Sequence, residues 1–310
     1  MNAQPRPPRV LVVKLAALGD FVQAFGSFAA IRAHHPDARI TLLTTPPFTE
    51  LARRSPWFDR VWDDGRPRYT ELRATLSLAR RLRAARFDRV YDLQTSSRSS
   101  RLRWFTGRGP EWSGIARGAS HPHSNPNRDF IHTVERQRDQ LEMAGISRFP
   151  APDLSWLDAD LSGLGLPPRF ALLIPGASPA RPGKRWPGFP ALAAGLGMPA
   201  VVAGGPGEGE LARAIRAAAP EALDLTGRTS LFQLAAVARR AALAVGNDTG
   251  PTHLAAAAGC PTLALFGGES DPALCAPRGA EVRVLRHEPL AALPPDRVAE
   301  AARALARMPR

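Results

Sequence analysis

AALAVGNDTGPTHLAAAAGCPTLALF, residues 241–266, decides the fold. An apolar run, Ala242–Val245, ends at Gly246, and an acid, a hydroxyl, a glycine and a proline precede an alanine-rich helix and a second apolar run, Thr262–Phe266. Strand, loop, helix and strand in that order form the repeating unit of a parallel sheet, since a parallel neighbour is reached only by a crossover. Asp248 or Thr249 can cap the first helical turn, and Pro251 suits its start, where a missing N–H costs nothing. Gly250 lets a ligand come close to the backbone, and the free amides of a helix mouth favour an anion such as a phosphate. His253 inside the first turn and Gly246 before it are not required by a plain cap. Asp248 would repel a phosphate, so it either caps the helix or accepts bonds from a ribose or an amide with its charge turned away.

The alternation extends in both directions. The second half has further strands at Phe170–Ile174, Ala200–Ala203 and Leu223–Leu225, helices at Phe189–Leu196, Glu208–Ala218 and Ser230–Arg239, and a last helix from Asp296 to Arg307. The first half opens with a strand, Val10–Val13, a turn through Lys14–Asp20 and a helix, Phe21–His34. Strands at Arg39–Leu43, Arg60–Trp62 and Arg89–Leu93 follow, with helices near Phe48–Arg54, Thr70–Ala85 and Ile131–Ala144. Residues 107–128, rich in Gly, Pro, Ser and Asn, are expected to form a long loop, and the Pro-bearing stretch 150–169 a linker. The predicted architecture is α/β: two Rossmann-like parallel-sheet domains, residues 1–158 and 159–310, facing across a cleft, the last helix free to pack back on the first. Ligands then belong beyond the carboxyl ends of the strands.

Composition narrows the function. The chain of 310 residues is 44% hydrophobic and 22% charged, and no apolar run comes near the roughly 18 residues of a membrane span. Residues 1–9, MNAQPRPPR, lack the apolar core of a signal peptide, so export is not expected. Cys260 and Cys275 are too few for a disulfide framework and lack metal-site spacing, which fits a reducing cytosol. In such a protein the glycosylation triplet Asn247-Asp248-Thr249 is read as chance. The net charge of +13 is uneven: residues 1–155 hold 25 Lys/Arg against 15 Asp/Glu, a net of +10, and residues 156–310 hold 16 against 13, a net of +3. The first half should therefore meet the more anionic partner. Only Lys14 and Lys184 are lysines among 41 basic residues. A lysine kept on that background can serve as a compact charge on a phosphate, although chance explains two residues as well.

Other motifs carry a functional and a plain reading. Pro175-Gly176-Ala177-Ser178, running on to Lys184-Arg185-Trp186-Pro187, follows a strand and supplies the Gly, Ser, Lys and Arg that a diphosphate needs, or is an ordinary basic loop. Asp20 in Leu18-Gly19-Asp20 either caps a helix or acts as a general base. Val202–Glu210 resembles a dinucleotide fingerprint poorly, with Glu210 where a third small residue belongs, and more simply presents Glu208 or Glu210 to ribose hydroxyls. On the helix from Thr70, Leu72, Leu76, Ala79 and Leu82 are expected to form the buried stripe, leaving the arginines at 73, 80, 81, 83 and 86 on a solvated face or against an anionic membrane. His121, His123 and His132 lack a fourth ligand for zinc, and no nucleic-acid motif accompanies the charge.

Taken together and in order, RVLVVKLAALGDFVQ (9–23), YDLQTSSRSS (91–100), IHTVERQRDQLEMAGI (131–146), IPGAS with KRWP (174–187) and DTGPTHLAAAAGCPTLALFG (248–267) resemble the ADP-heptose:lipopolysaccharide heptosyltransferases, glycosyltransferase family 9, of GT-B fold. The resemblance implies an inverting transferase of lipopolysaccharide biosynthesis, cytoplasmic or at the cytoplasmic face of the inner membrane, with no cofactor and no obligatory metal. Its partners would be a nucleotide-diphosphate sugar, ADP-heptose, and an anionic lipid-linked inner-core glycan, with no nucleic acid. By similarity Asp20 is the general base and Lys184 the catalytic lysine on the diphosphate. Ser178, Asp248, Thr249, Gly250 and His253 join Lys184 on the donor, Glu208 or Glu210 takes the ribose, and Lys14, Gln94 and Arg98 meet the acceptor. This chain departs from the family in having Ala16 and Ala17 where relatives have Ser or Thr, and Gly267-Gly268-Glu269-Ser270-Asp271-Pro272 in place of Gly-Pro-Thr-Asp-Pro. A nucleotide-sugar-binding protein that has lost catalysis is the alternative; a nucleotide-dependent oxidoreductase is disfavoured by the broken glycine pattern.

Overall fold

The computed structural model describes residues 6–63, 67–68 and 70–306. Met1–Pro5 of the leading segment and Arg307 at the end of the last predicted helix lie outside the described residues. The chain divides into two compact units, Met1–Trp156 and Leu157–Arg310.

The first unit runs β1 (Arg9–Val13), α1 (Leu18–Val22), α2 (Phe25–His34), β2 (Arg39–Leu43), α3 (Thr49–Arg54), β3 (Arg60–Trp62), α4 (Leu72–Ala85) and β4 (Arg89–Asp92). It continues with α5 (Ser97–Ser100), α6 (Leu102–Thr106), β5 (Glu111–Gly114), β6 (His121–Pro122) and α7 (Thr133–Met143). All its strands are parallel, in the order β3-β2-β1-β4-β5-β6. Val10–Val13 are 0–1% exposed. A strand covered on both faces needs an unbroken apolar run, which is why RVLVV does not alternate.

The second unit runs β7 (Ala171–Ile174), α8 (Phe189–Gly195), β8 (Ala200–Val202), α9 (Gly209–Ala218), β9 (Leu223–Asp224) and α10 (Leu231–Arg240). Then come β10 (Leu243–Asn247), α11 (Gly250–Ala257), β11 (Thr262–Phe266), α12 (Pro272–Cys275), β12 (Val282–Arg286) and α13 (Pro295–Ala306). This sheet too is parallel, ordered β12-β11-β10-β7-β8-β9. Leu173, Leu192, Leu243, Leu263 and Val298 share its core, and α13 packs on α8, β10 and β11.

Each sheet has one place where the winding direction reverses, between β1 and β4 in the first and between β7 and β10 in the second. Loops leaving the strands there turn to opposite sides and open a crevice, the place where such sheets bind ligands.

Three expectations are corrected. The helix predicted at Phe21–His34 is two helices, because Asp20 accepts from the Ala17 amide at 3.1 Å and starts α1 three residues earlier, and the chain turns at Gln23–Ala24 before α2. The loop predicted at 107–128 contains β5 and β6, short strands formed by pairing β5 with β4 and β6 with β5, with Trp112 of β5 buried in the core. On α4 the buried leucines are Leu78 and Leu82, whereas Leu72 and Leu76 stand 69% and 55% exposed. Leucines occur on both arcs of this helix, so periodicity alone did not select the face. Packing of Leu78 and Leu82 with Phe87 and Leu102, and the Arg81 guanidinium 4.0 Å above the Trp62 ring, fix its roll. Among the described residues no helix is long and apolar enough to cross a membrane.

Candidate active site

At the reversal point of the second sheet, β10 delivers Asn247 and Asp248 beside the loop that leaves β7. Asn247 is fully buried and pins that loop: its Nδ2 donates to the Pro175 carbonyl at 2.8 Å, and its Oδ1 accepts from the Trp186 amide at 3.2 Å. With its side chain spent in this way it is no glycosylation acceptor, and sequence reasoning missed its role. The pinned loop carries Lys184, whose ammonium donates to Asp248 Oδ2. Ser270 Oγ donates to the same oxygen at 2.6 Å, and His253 Nε2–H donates to Oδ1 at 3.4 Å. Burial raises the Asp248 carboxyl, but hydrogen bonds from His253, Lys184 and Ser270, with the Lys184 charge, outweigh it and hold the group at about 2.

Neither Asp248 nor Thr249 caps a backbone amide of α11; their side chains meet His253 Nε2 and Thr252 Oγ1, both at 3.4 Å. Thr249 is the N-cap residue but makes no side-chain cap bond, and Pro251 occupies the second helical position. Asp248 is committed to Lys184, Ser270 and His253, and no side chain caps the Gly250 end of the helix among the described residues. Gly246 has a packing role, since a Cβ there would overlap the Thr252 hydroxyl, which donates to the Asn247 carbonyl at 2.7 Å. Ser178 stands exposed in the β7 loop.

The two glutamates separate. Glu208 accepts from the Gly205 amide at 2.7 Å, and its carboxylate lies over Gly176 and Gly204, where any Cβ would collide with its oxygens. Glu210 sits on α9 with its side chain 91% exposed, 3.5 Å from Arg213, away from this group. Glu269, within the segment that departs from the family, accepts from the Gly183 amide at 2.7 Å and ties the Lys184 loop to the one after β11. Ser270 and Glu269 gave no signal in the sequence beyond that departure.

At the reversal point of the first sheet, Lys14, Asp20, Gln94 and Thr95 line a cavity of about 50 Å³ with Arg136, Gln137 and Gln140 of α7. Lys14 is buried, donates to the Leu93 carbonyl at 3.2 Å, and burial holds its ammonium below the ordinary lysine range, against the pull of Asp20. Gln94 Oε1 accepts from the amides of Leu15 and Ala16 at 2.8 and 3.1 Å, so it shapes the β1 turn. Gln137, 3% exposed, has no partner for either amide atom among the described residues. Arg98 does not line this cavity; its guanidinium donates to the Pro67 carbonyl. Arg136, Gln137 and Gln140 lay inside a quoted motif, but nothing local distinguished them from other polar residues of an amphipathic helix. The three histidines go to different partners: His121 to Arg89, His123 to Asp139 and His132 to the Val134 amide.

Beneath the cavity Asp92 is fully buried. One oxygen accepts from the Gln94 and Thr95 amides, and the other has no partner among the described residues. Burial pushes its carboxyl up to about 6. The folded chain then keeps a proton that the unfolded chain releases near 3.8, so stability falls as pH rises from there through about 6, by about 3 kcal/mol in all. Asp92→Asn should remove that slope, gaining about 2 kcal/mol over the parent near pH 8 and almost nothing near pH 4. Urea denaturation at both pH values checks this, and equal differences at the two would refute it.

The comparisons with known proteins agree with the fold. The model of glycosyltransferase family 9 (heptosyltransferase) matches residues 75–300. A glycosyltransferase family 9 structure from Veillonella parvula superposes with a TM-score of 0.80 at 24% identity, covering 98% of this chain and 99% of that one. ADP-heptose lps heptosyltransferase II of E. coli gives 0.74 at 24% identity, covering 96% and 98%. The E. coli heptosyltransferase WaaC with ADP gives 0.75 at 21%, covering 96% and 99%. A curated Haemophilus influenzae protein, named only provisionally as a glycosyltransferase, is 28% identical over 100 residues, which span 32% of this chain and 28% of that protein. Two six-stranded parallel sheets, these superpositions and a family match over most of its length establish that the chain is a member of glycosyltransferase family 9, the heptosyltransferase family, with the GT-B fold.

Proposed function

We propose that the protein is an inverting transferase that moves a heptose or related sugar from a nucleoside-diphosphate donor, ADP-heptose, to a hydroxyl of an anionic, lipid-linked inner-core glycan. The observation that carries this reading is the cluster of Lys184, Asp248, Ser270 and His253 beside the uncapped start of α11, with Glu208 over Gly176 and Gly204. A fixed cation and helix-end amides suit a diphosphate, and a carboxylate seated on a glycine-lined strand end suits a ribose diol. The adenine nucleotide is supported by the ADP and ADP-2-deoxy-2-fluoro heptose of the E. coli WaaC structures.

In the reaction the acceptor hydroxyl gives its proton to the Asp20 carboxylate as its oxygen bonds to the anomeric carbon. The bond from that carbon to the diphosphate breaks with inversion, and the electron pair leaves on the phosphate oxygen. Lys184 and the α11 amides stabilise that charge. Asp248 holds Lys184 in place. Lys14, Arg136 and Gln137 offer charge and an open amide to acceptor acids, in keeping with the net +10 of the first half. The proposed place of action is the cytoplasm, at the cytoplasmic face of the inner membrane for a lipid-linked acceptor.

Incubation with nucleotide-activated sugars, with and without a core-sugar acceptor, tests the reading by nucleotide release. Acceptor-dependent release is expected; donor binding without release would favour the catalytically inactive alternative. Lys184→Ala should weaken ADP binding about ten- to a hundredfold, as loss of a charged hydrogen bond implies. Unchanged affinity by calorimetry would remove Lys184 from the diphosphate.

A further inference from the structure

α4 is held by one side only. Leu78 and Leu82 are 1% exposed, and Arg81 stacks on Trp62. The outward side carries Leu72, Leu76, Arg80 and Arg83 at i, i+4, i+8 and i+11, a spacing that aligns them in one stripe, with Arg73 at its flank. Leu72 and Leu76 are 69% and 55% exposed, and the three arginines are exposed and form no ion pair with another described residue. α6 packs against α4, and its Trp104 is 72% exposed. Two leucines one turn apart and a tryptophan on the adjoining helix are left in water, more apolar exposure than the single residues common on soluble proteins.

We propose that the outward face of α4, with Trp104, docks on a bilayer bearing anionic headgroups, its leucines entering the headgroup boundary and Arg73, Arg80 and Arg83 meeting lipid phosphates. The charge pattern selects this occupant. Guanidinium groups share the stripe with the leucines, and long arginine stems can lie along apolar surface while their heads reach phosphates. The first half of the chain carries a net of +10 against +3 in the second, so an anionic surface draws this unit. Fourteen residues of α4 extend about 21 Å, too short to span a bilayer and suited to lying in its plane.

Docking would bring the enzyme to a lipid-linked acceptor of the kind proposed above. The experiment uses neither donor nor acceptor, so its failure and the failure of the transferase reading are distinguishable. Full-length protein is sedimented with vesicles of phosphatidylcholine mixed with phosphatidylglycerol, and with phosphatidylcholine alone. Binding to the mixed vesicles only, weakening with added salt, is expected. Arg80→Gln with Arg83→Gln should lower the partition coefficient about thirtyfold, and Leu72→Ser with Leu76→Ser about tenfold or more. All four sites are exposed, so circular dichroism should be unchanged. Equal binding by parent and variants, or no binding to the mixed vesicles, would overturn the proposal. So would a concentration-dependent dimer that Leu72→Ser with Leu76→Ser dissolves, since the face would then cover a second copy of the chain.

Discussion

Asp20→Asn is expected to slow sugar transfer about a hundredfold to ten-thousandfold while leaving donor affinity within a few-fold, the range seen when a general base is removed. The substitution suits the site, because Asp20 Oδ2 accepts from the Ala17 amide to start α1, and an asparagine carbonyl can accept the same bond. Helix and turn should persist while the capacity to take a proton is lost. The proposed donor residues belong to the second unit, so calorimetry with ADP isolates the chemical step from binding. Full activity in the variant would remove Asp20 from the base position and reduce it to the cap.

Asp248→Asn should cost about 2 kcal/mol of stability at neutral pH, a difference that disappears in acid. The folded carboxyl, at about 2, lies below its ordinary 3.8. Its contribution is therefore complete above about pH 4 and lost as pH falls through about 2. Lys184 and Ser270 both donate to one oxygen, so an amide nitrogen there, or a flip that puts it against His253, forfeits at least one bond. Thermal melts at several pH values should show the parent's acid limb flattened in the variant, with ADP affinity lowered about tenfold because Lys184 is no longer held. A variant as acid-sensitive as the parent would refute this account of the cluster.

Much of the fold was legible because buried parallel strands write themselves as short apolar runs between helices. RVLVV, RITLL, ALLI and TLALF could be placed to within a residue or so. EWSG, the two-residue β6 and VRVLR could not, since short strands that carry polar residues take their form from the neighbours they pair with. Asp20, Lys184 and the run from Asp248 to His253 stood out through residue type and position after a strand. Asn247, Ser270, Glu269 and Gln137 did not, because their roles consist of partners 22 to 86 residues away in sequence or, for Gln137, of having none among the described residues.

The sequence by itself determined the parallel α/β architecture and the two-part chain, and it marked the strand ends proposed to hold chemistry, because periodicity, helix entry and turn residues are local properties. Only the tertiary structure decided what the acids do. Asp248 turns to Lys184 instead of capping α11, Glu208 and not Glu210 lies over the glycines, and Leu72 and Leu76 face outward. Those outcomes depend on which groups meet across the sheet and how a helix rolls on its core, and the free energy of such contacts is fixed by residues far apart in the chain.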